Sequence, residues 1–269
     1  MDMQWMTLLV LFLVCALLCA VGFYKFVYFL SIGYGFAIAG GAVAVFVMLF
    51  INGWDTALWW LAALQTIVFF AYGARLSGFL LYREIKSAAY RKSMKEEIGA
   101  EKKMPVFVLA TILIFVSALY TIQLSPMLYR FANEATDILL PLAGMGISVL
   151  GLILEAVADK QKSDQKKLNP KAVATQGLYK IVRCPNYLGE ITFWTGVFVG
   201  GITAYEGVGQ WILAIVAYVC IVFIMFNGAQ RLEKRQMERY GDDPAYNEYA
   251  NKTPIILPLI PLYHLNKKQ

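Results

Sequence analysis

Histidine is almost missing from this chain: His264 is the only one in 269 residues, and it falls in a C-terminal tail expected to be frayed. That scarcity argues against a histidine-dependent triad and against a His-ligated metal site, leaving chemistry to Tyr, Glu, Asp, Lys, Arg or a cofactor. Charge is scarce too. Only 16% of the residues are charged against 59% hydrophobic, which rules out an ordinary soluble globule and indicates a polytopic membrane protein. The four cysteines offer no disulfide framework, because Cys15, Cys19 and Cys220 lie inside apolar runs and Cys184 stands alone in a loop. The first apolar run opens on Asp2 rather than a basic segment and has no evident cleavage motif, so it reads as a retained helix.

What is present in quantity is oily sequence. Stretches long enough to span a bilayer, about 20 residues at helical rise, fall near 5–23, 28–50, 56–82, 105–124, 136–158 and 208–228, with a shorter seventh near 187–204. The expected fold is all-α, with seven transmembrane helices in a single integral membrane domain over 1–269. Residues 1–135 would form the substrate side and 136–269 the cofactor side. On this map 23 of the 24 Lys and Arg lie on one side, Arg130 being the exception. The positive-inside rule then places the N-terminus outside and the C-terminus in the cytosol. The outer links at 52–55, 125–135 and 205–207 read as connectors, whereas the polar, basic inner segments at 83–104, 159–181 and after 227 should carry function.

The stretch at 177–191, GLYKIVRCPNYLGEI, is a polar island between two oily runs. Proline lacks the backbone donor and disfavours helix in the residue before it, so a new helix should start near Asn186. Asn186 and Glu190 then share a face of its first turn, at the positive end of the helix dipole. They serve either as a cap and a dipole-favouring acid or as a ligand site. An ionisable group at the lip of a membrane helix tips the reading toward a site.

Other polar positions carry two readings. Glu155 and Asp159, four apart at the inner end of the fifth span, place like charges on one face against the helix dipole. Either Lys160, Lys162, Lys166 and Lys167 neutralise them, or they hold a ribose and its phosphates. Tyr72 and Arg75 face the same way in the third span, as an interfacial tyrosine with a snorkelling arginine or as a hydroxyl donor beside a cation. Tyr246 and Tyr249 either line a planar ligand or anchor the tail, whose Pro254, Pro258 and Pro261 predict an irregular return to the membrane surface. The Gly35, Gly40 and Gly41 cluster and the Gly144, Gly146 and Gly151 cluster predict close helix contacts. The second of these, GMGISVLG, is no dinucleotide fingerprint, because no strand precedes it.

Taken together, GLYKIVRCPNYLGEI, the preceding EAVADKQKSDQKK and the Tyr- and Pro-rich tail resemble the steroid 5-alpha-reductase C-terminal superfamily, and within it the membrane proteins grouped as DUF1295. The resemblance implies a seven-helix reductase that takes NADPH from the cytosol and reduces a carbon–carbon double bond conjugated to a ketone. Asn186 and Glu190 match cofactor residues of the family's Asn-aromatic-x-Gly-Glu motif, and Asp159 matches the aspartate ending the preceding helix. Glu155 stands where steroid reductases carry Asn. Tyr72 and Arg75 fit their Tyr-x-x-Arg spacing, which makes Tyr72 the expected ketone-polarising donor and Arg75 its support. The implied cofactor set is Glu155, Asp159, Lys166, Lys167, Lys171, Arg183, Asn186, Tyr187, Glu190, Arg231, Tyr246 and Tyr249. The second helix departs from the pattern, since 29–50 lacks the Gln-Glu pair that holds the steroid ketone.

An alternative resemblance is to membrane methyltransferases of the isoprenylcysteine type, which use S-adenosylmethionine. Cys184 replaces their usual His, and Asn186 with Gly189 and Glu190 favours the reductase. The expected substrate is an apolar molecule from the bilayer, of the 3-oxo-Δ4 steroid kind. The basic inner loops suit anionic lipid headgroups and do not argue for nucleic acid. Short loops and the DUF1295 likeness point to a bacterial cell membrane.

Overall fold

The structure, a computed structural model, describes residues 3–54, 57–86, 104–170 and 172–266; most of the inner loop at 83–104 and Lys171 lie outside them. Among the described residues the chain is helical, without strands. Its α-helices are α1 (Met3–Cys19), α2 (Ile32–Ile51), α3 (Trp59–Lys86), α4 (Val106–Ala132), α5 (Leu139–Leu168), α6 (Pro185–Gly201), α7 (Gly207–Tyr240) and α8 (Pro244–Lys252). Six of them, α1 to α5 and α7, are long and apolar enough to cross a membrane, consistent with an integral membrane protein. The expected seventh span corresponds to α6, which has 17 residues and is shorter than those six candidate spans.

Two helices run further than their hydropathy predicts. α4 was expected to end near 124, with 125–135 as an outer connector, yet it continues through Pro126 to Ala132. Pro126 cannot donate to the carbonyl of Ile122, but the Ser125 hydroxyl does so at 2.8 Å, and the freed acceptor is satisfied locally. α7 carries on unbroken from its apolar part into the charged 231–240 segment and stops at Tyr240 before a turn. There Asp243 caps α8, its side chain accepting from the Ala245 amide at 2.9 Å with Pro244 in the first turn.

The chain divides into two compact units: Met1–Pro141 with Gly201–Ala217, and Leu142–Gly200 with Tyr218–Gln269. In the first, α2 and α3 approach backbone to backbone. A Cβ on Gly73 would lie 2.1 Å from the Gly35 carbonyl, and one on Gly35 would lie 2.3 Å from Ser77 Oγ. The free thiols of Cys15 and Cys19 are buried on the same core, and all four cysteines are unbridged. Arg130, the exception to the charge map, is 1% exposed; it reaches Asp137 at 2.8 Å and Thr203 Oγ1 at 3.0 Å. It ties the end of α4 to the segment before α5 and to the turn at Ile202–Ala204 within this unit.

In the second unit the small residues of α5 and α6 interlock, Gly144 against Gly196 and Gly151 against Gly189. The close approach explains Gly144 and Gly151 in the run that mimics a dinucleotide motif; Gly146, expected to join them, has nothing within 4 Å of a Cβ built there. The tail does not fray. The amides of Arg183 and Cys184 donate to Pro254 and Ile255 carbonyls, each at 2.8 Å, and Ile255 and Ile256 are buried with Cys184, Ile191 and Ala229. Only the tip, with Leu259 and Ile260, is exposed.

Candidate functional site

The polar island begins with a loop read by the far end of α5. Gln161 Oε1 accepts from the Leu178 amide at 2.8 Å, and Gln165 Oε1 accepts from the amides of Thr175 and Gln176, each at 2.9 Å. Gly177 is required twice here, by its φ of +69° and because a Cβ would lie 2.3 Å from Gln161 Oε1. Pro185 then opens α6 as expected, one residue before Asn186.

This geometry assembles one polar network in the second unit. Asn186 Nδ2 donates to Asp159 Oδ1, while Asn186 Oδ1 accepts from the Tyr179 hydroxyl at 3.0 Å. Tyr249 donates its hydroxyl to the Tyr179 carbonyl at 2.7 Å, so α8 is bound to the same knot. Burial, reinforced by the Asp159 charge, raises the Tyr179 hydroxyl above the usual phenol range, and burial does the same to Tyr249. Both stay neutral donors at physiological pH. Tyr179 lies within the 177–191 stretch, but an isolated tyrosine in a loop has no distinguishing spacing in the sequence.

Glu155, one turn before Asp159, is 4% exposed, and Gly189 on α6 makes room for it: a Cβ there would lie 2.6 Å from Glu155 Cγ. Glu190 is also buried and accepts from the Trp194 indole at 3.1 Å. Three of the lysines near these acids have partners elsewhere. Lys160 and Lys167 both pair with the exposed Asp164, and Lys166 donates to the Ala172 carbonyl at 2.6 Å and to the Tyr240 hydroxyl at 3.1 Å. Arg231 is exposed on α7, and Tyr187 packs against Ile255, Ile256 and their neighbours.

Arg183 was expected among the phosphate ligands. Its guanidinium is buried, with Nη2 bonded to Glu233 Oε1 at 2.8 Å and to the Tyr263 carbonyl. Glu233 is the residue that the sequence did not advertise. It sits in the charged end of α7 and gathers the tail, accepting from the amides of Leu265 and Asn266 at 2.8 and 3.0 Å and contacting His264 Nδ1 at 3.0 Å. Nε and Nη1 of Arg183 make no well-formed hydrogen bond, and neither does the hydroxyl of Tyr246, which is 1% exposed and lies beside the Arg183 guanidinium; burial raises this phenol above its usual range, and the neighbouring Arg183 cation acts in the opposite sense. Cys184 next door has its thiol pushed up to about 12 by burial, so it is no thiolate nucleophile.

The first unit holds a separate cluster. Tyr72 is fully buried and donates its hydroxyl to that of Tyr34 at 2.9 Å; the Tyr34 ring stacks on Tyr120 at 4.8 Å between centroids. Tyr120 in turn donates to the Phe29 carbonyl at 2.8 Å. Arg75, on the same side of α3, is half-buried. The second helix does lack acids and amides, but it supplies this phenol, which a search for carboxylates and carboxamides passes over.

None of the curated proteins or solved structures compared with the chain matches it. A family model described as protein of unknown function (DUF1295) does match, over residues 23–253. With nearly the whole chain covered, from the loop before α2 to the end of α8, this membrane protein belongs to the DUF1295 family.

Proposed function

We propose that the protein is a membrane-embedded, NADPH-dependent reductase of the conjugated carbon–carbon double bond of an apolar enone. The observation that carries the reading is the half-used Arg183: a buried guanidinium whose Nε and Nη1 make no well-formed hydrogen bond, with the Tyr246 hydroxyl, equally short of one, beside it. Buried donors are rarely left idle, and fixed N–H and O–H groups beside a cation suit phosphate oxygens. In the same unit, Asp159 and Asn186 offer a carboxylate and an amide for ribose or carboxamide groups, with Tyr179 and Tyr249 holding them in place. These residues fit a phosphorylated dinucleotide. Bound there, NADPH supplies the hydride.

The chain's own residues do the remainder. Tyr72 turns its hydroxyl proton, held on Tyr34 at 2.9 Å in the free protein, to the substrate ketone, and Tyr34 then donates to the Tyr72 oxygen in its place. Apolar packing around both phenols excludes water from the ketone. This reading also takes α6 as a seventh crossing, with the N-terminus outside, in a bacterial cell membrane.

Tyr246→Phe is the cleanest test. Its hydroxyl lies beside Arg183 without a well-formed hydrogen bond, so removing it should change the melting temperature little. It should weaken NADPH binding in detergent about tenfold, the effect of one hydrogen bond to a charged group. Equal NADPH affinity in the two proteins would remove the assignment. Tight S-adenosylhomocysteine binding without any NADPH response would favour the methyltransferase.

A further inference from the structure

Gln123 on α4 is 2% exposed, and neither its amide nitrogen nor its amide oxygen has a hydrogen-bond partner. Leaving a buried polar group in that state is destabilising. A leucine of similar size would avoid that penalty, and the bilayer core offers no bulk water to pair with the amide. Its neighbours are not apolar filler. Ser117, Tyr120 and Gln123 follow at three-residue spacing, each turned about 60° from the last, so they share one face of the helix. Ser117 Oγ is fully buried and also lacks a partner.

Tyr120, in the middle of that face, stacks on Tyr34, whose hydroxyl accepts from Tyr72. On α3 the buried Gln65 lies two turns before Tyr72 on the same face, and its Oε1 has no partner. Gln123, Ser117 and Gln65 thus keep unused hydrogen-bonding atoms on α4 and α3, the helices that carry Tyr120 and Tyr72.

We infer that Gln123 is a binding residue for the polar group of an apolar bilayer molecule, donating its amide N–H to a ketone or hydroxyl oxygen, with Ser117 nearly two turns before it on α4. The inference rests on the reductase reading in identifying that molecule with the substrate, and it adds a group that holds the oxygen Tyr72 would protonate. It also accounts for how the chain binds a ketone without an amide or acid in the second helix.

Gln123→Leu separates the possibilities in purified protein. With no ligand added, the variant should melt at the same temperature as the wild type or higher, because an unsatisfied amide has been removed. Cholest-4-en-3-one should raise the wild-type melting temperature more than cholest-4-ene, which lacks the oxygen, and that difference should vanish in Gln123→Leu. A lower melting temperature for the ligand-free variant would show the amide bonded to the chain or to a resident water, and would overturn the proposal. So would an equal ketone-specific shift in both proteins, zero included. NADPH binding distinguishes this from the parent reading. A Gln123-dependent ketone shift without NADPH binding keeps the site and removes the reductase, whereas NADPH binding with a ketone shift indifferent to Gln123 does the reverse.

Discussion

Glu233 shows how much one buried acid can organise. Its side chain is 1% exposed, and it holds Arg183, two tail amides and His264 at once. Glu233→Ala would strand the Arg183 charge away from water, so we expect a loss of about 3–5 kcal/mol, the range for breaking a buried ion pair. Thermal melting measures that loss, and proteolysis within 254–266 should accelerate as the tail is released. Three neighbouring acids with raised pKa values make a second prediction. Tyr179, Tyr249 and Cys184 are all held protonated by burial. Since each proton is bound more tightly folded than unfolded, the associated stability is complete below the usual values of 9.0 for Cys and 10.0 for Tyr and is lost as pH climbs above them. The melting temperature should therefore fall from about pH 9 upward, and Cys184 should resist maleimide at pH 8 until the protein is denatured. The sequence disclosed Asn186, Glu190 and Asp159 through Pro185 and the charge pattern around them. It could not disclose Glu233 or Gln123, because an acid in a charged helix and an amide in an oily one look ordinary until burial and partners are known.

At the scale of the helix, small residues set the spacing. Gly151 faces Phe193 and Gly189 so closely that a Cβ would lie 2.4 Å from the Phe193 amide nitrogen. Backbone cannot retreat as a side chain can, and Gly151→Val should cost about 3 kcal/mol or more by forcing α5 and α6 apart. Because Glu155 sits against Gly189 in the same seam, the proposed reductase reading expects the variant to lose NADPH binding as well. Gly146, by contrast, has nothing within 4 Å, and Gly146→Ala should leave both melting and binding unchanged. Periodicity and hydropathy located nearly every helix, yet they ended α4 too early. Hydropathy assigns Pro126 to a break because it has no means of knowing that Ser125 bonds the orphaned Ile122 carbonyl.

For the molecule as a whole, the crossing of α6 decides the topology. If it spans, Lys160 at the far end of α5 and Glu206 after α6 lie on opposite sides of the membrane. An impermeant maleimide added to intact cells should then label Glu206→Cys and should reach Lys160→Cys only after permeabilisation; labelling of both from one side would remove the seventh crossing. Composition alone settled the all-helical membrane class, since a bilayer offers oily backbone no other economical way to satisfy its hydrogen bonds than helices or closed barrels, and these runs are of helical length. Sequence also marked 177–191 as the place where that uniformity breaks. Tertiary structure alone decided which polar groups are spent and which are spare: Lys166, Lys160 and Lys167 are taken up by nearby partners, whereas Arg183, Tyr246 and Gln123 keep unused hydrogen-bonding atoms in the interior. The physical reason is that a side chain's chemical character is fixed by its covalent identity, but its availability depends on what distant parts of the chain bring within 3 Å of it, roughly the length of a hydrogen bond.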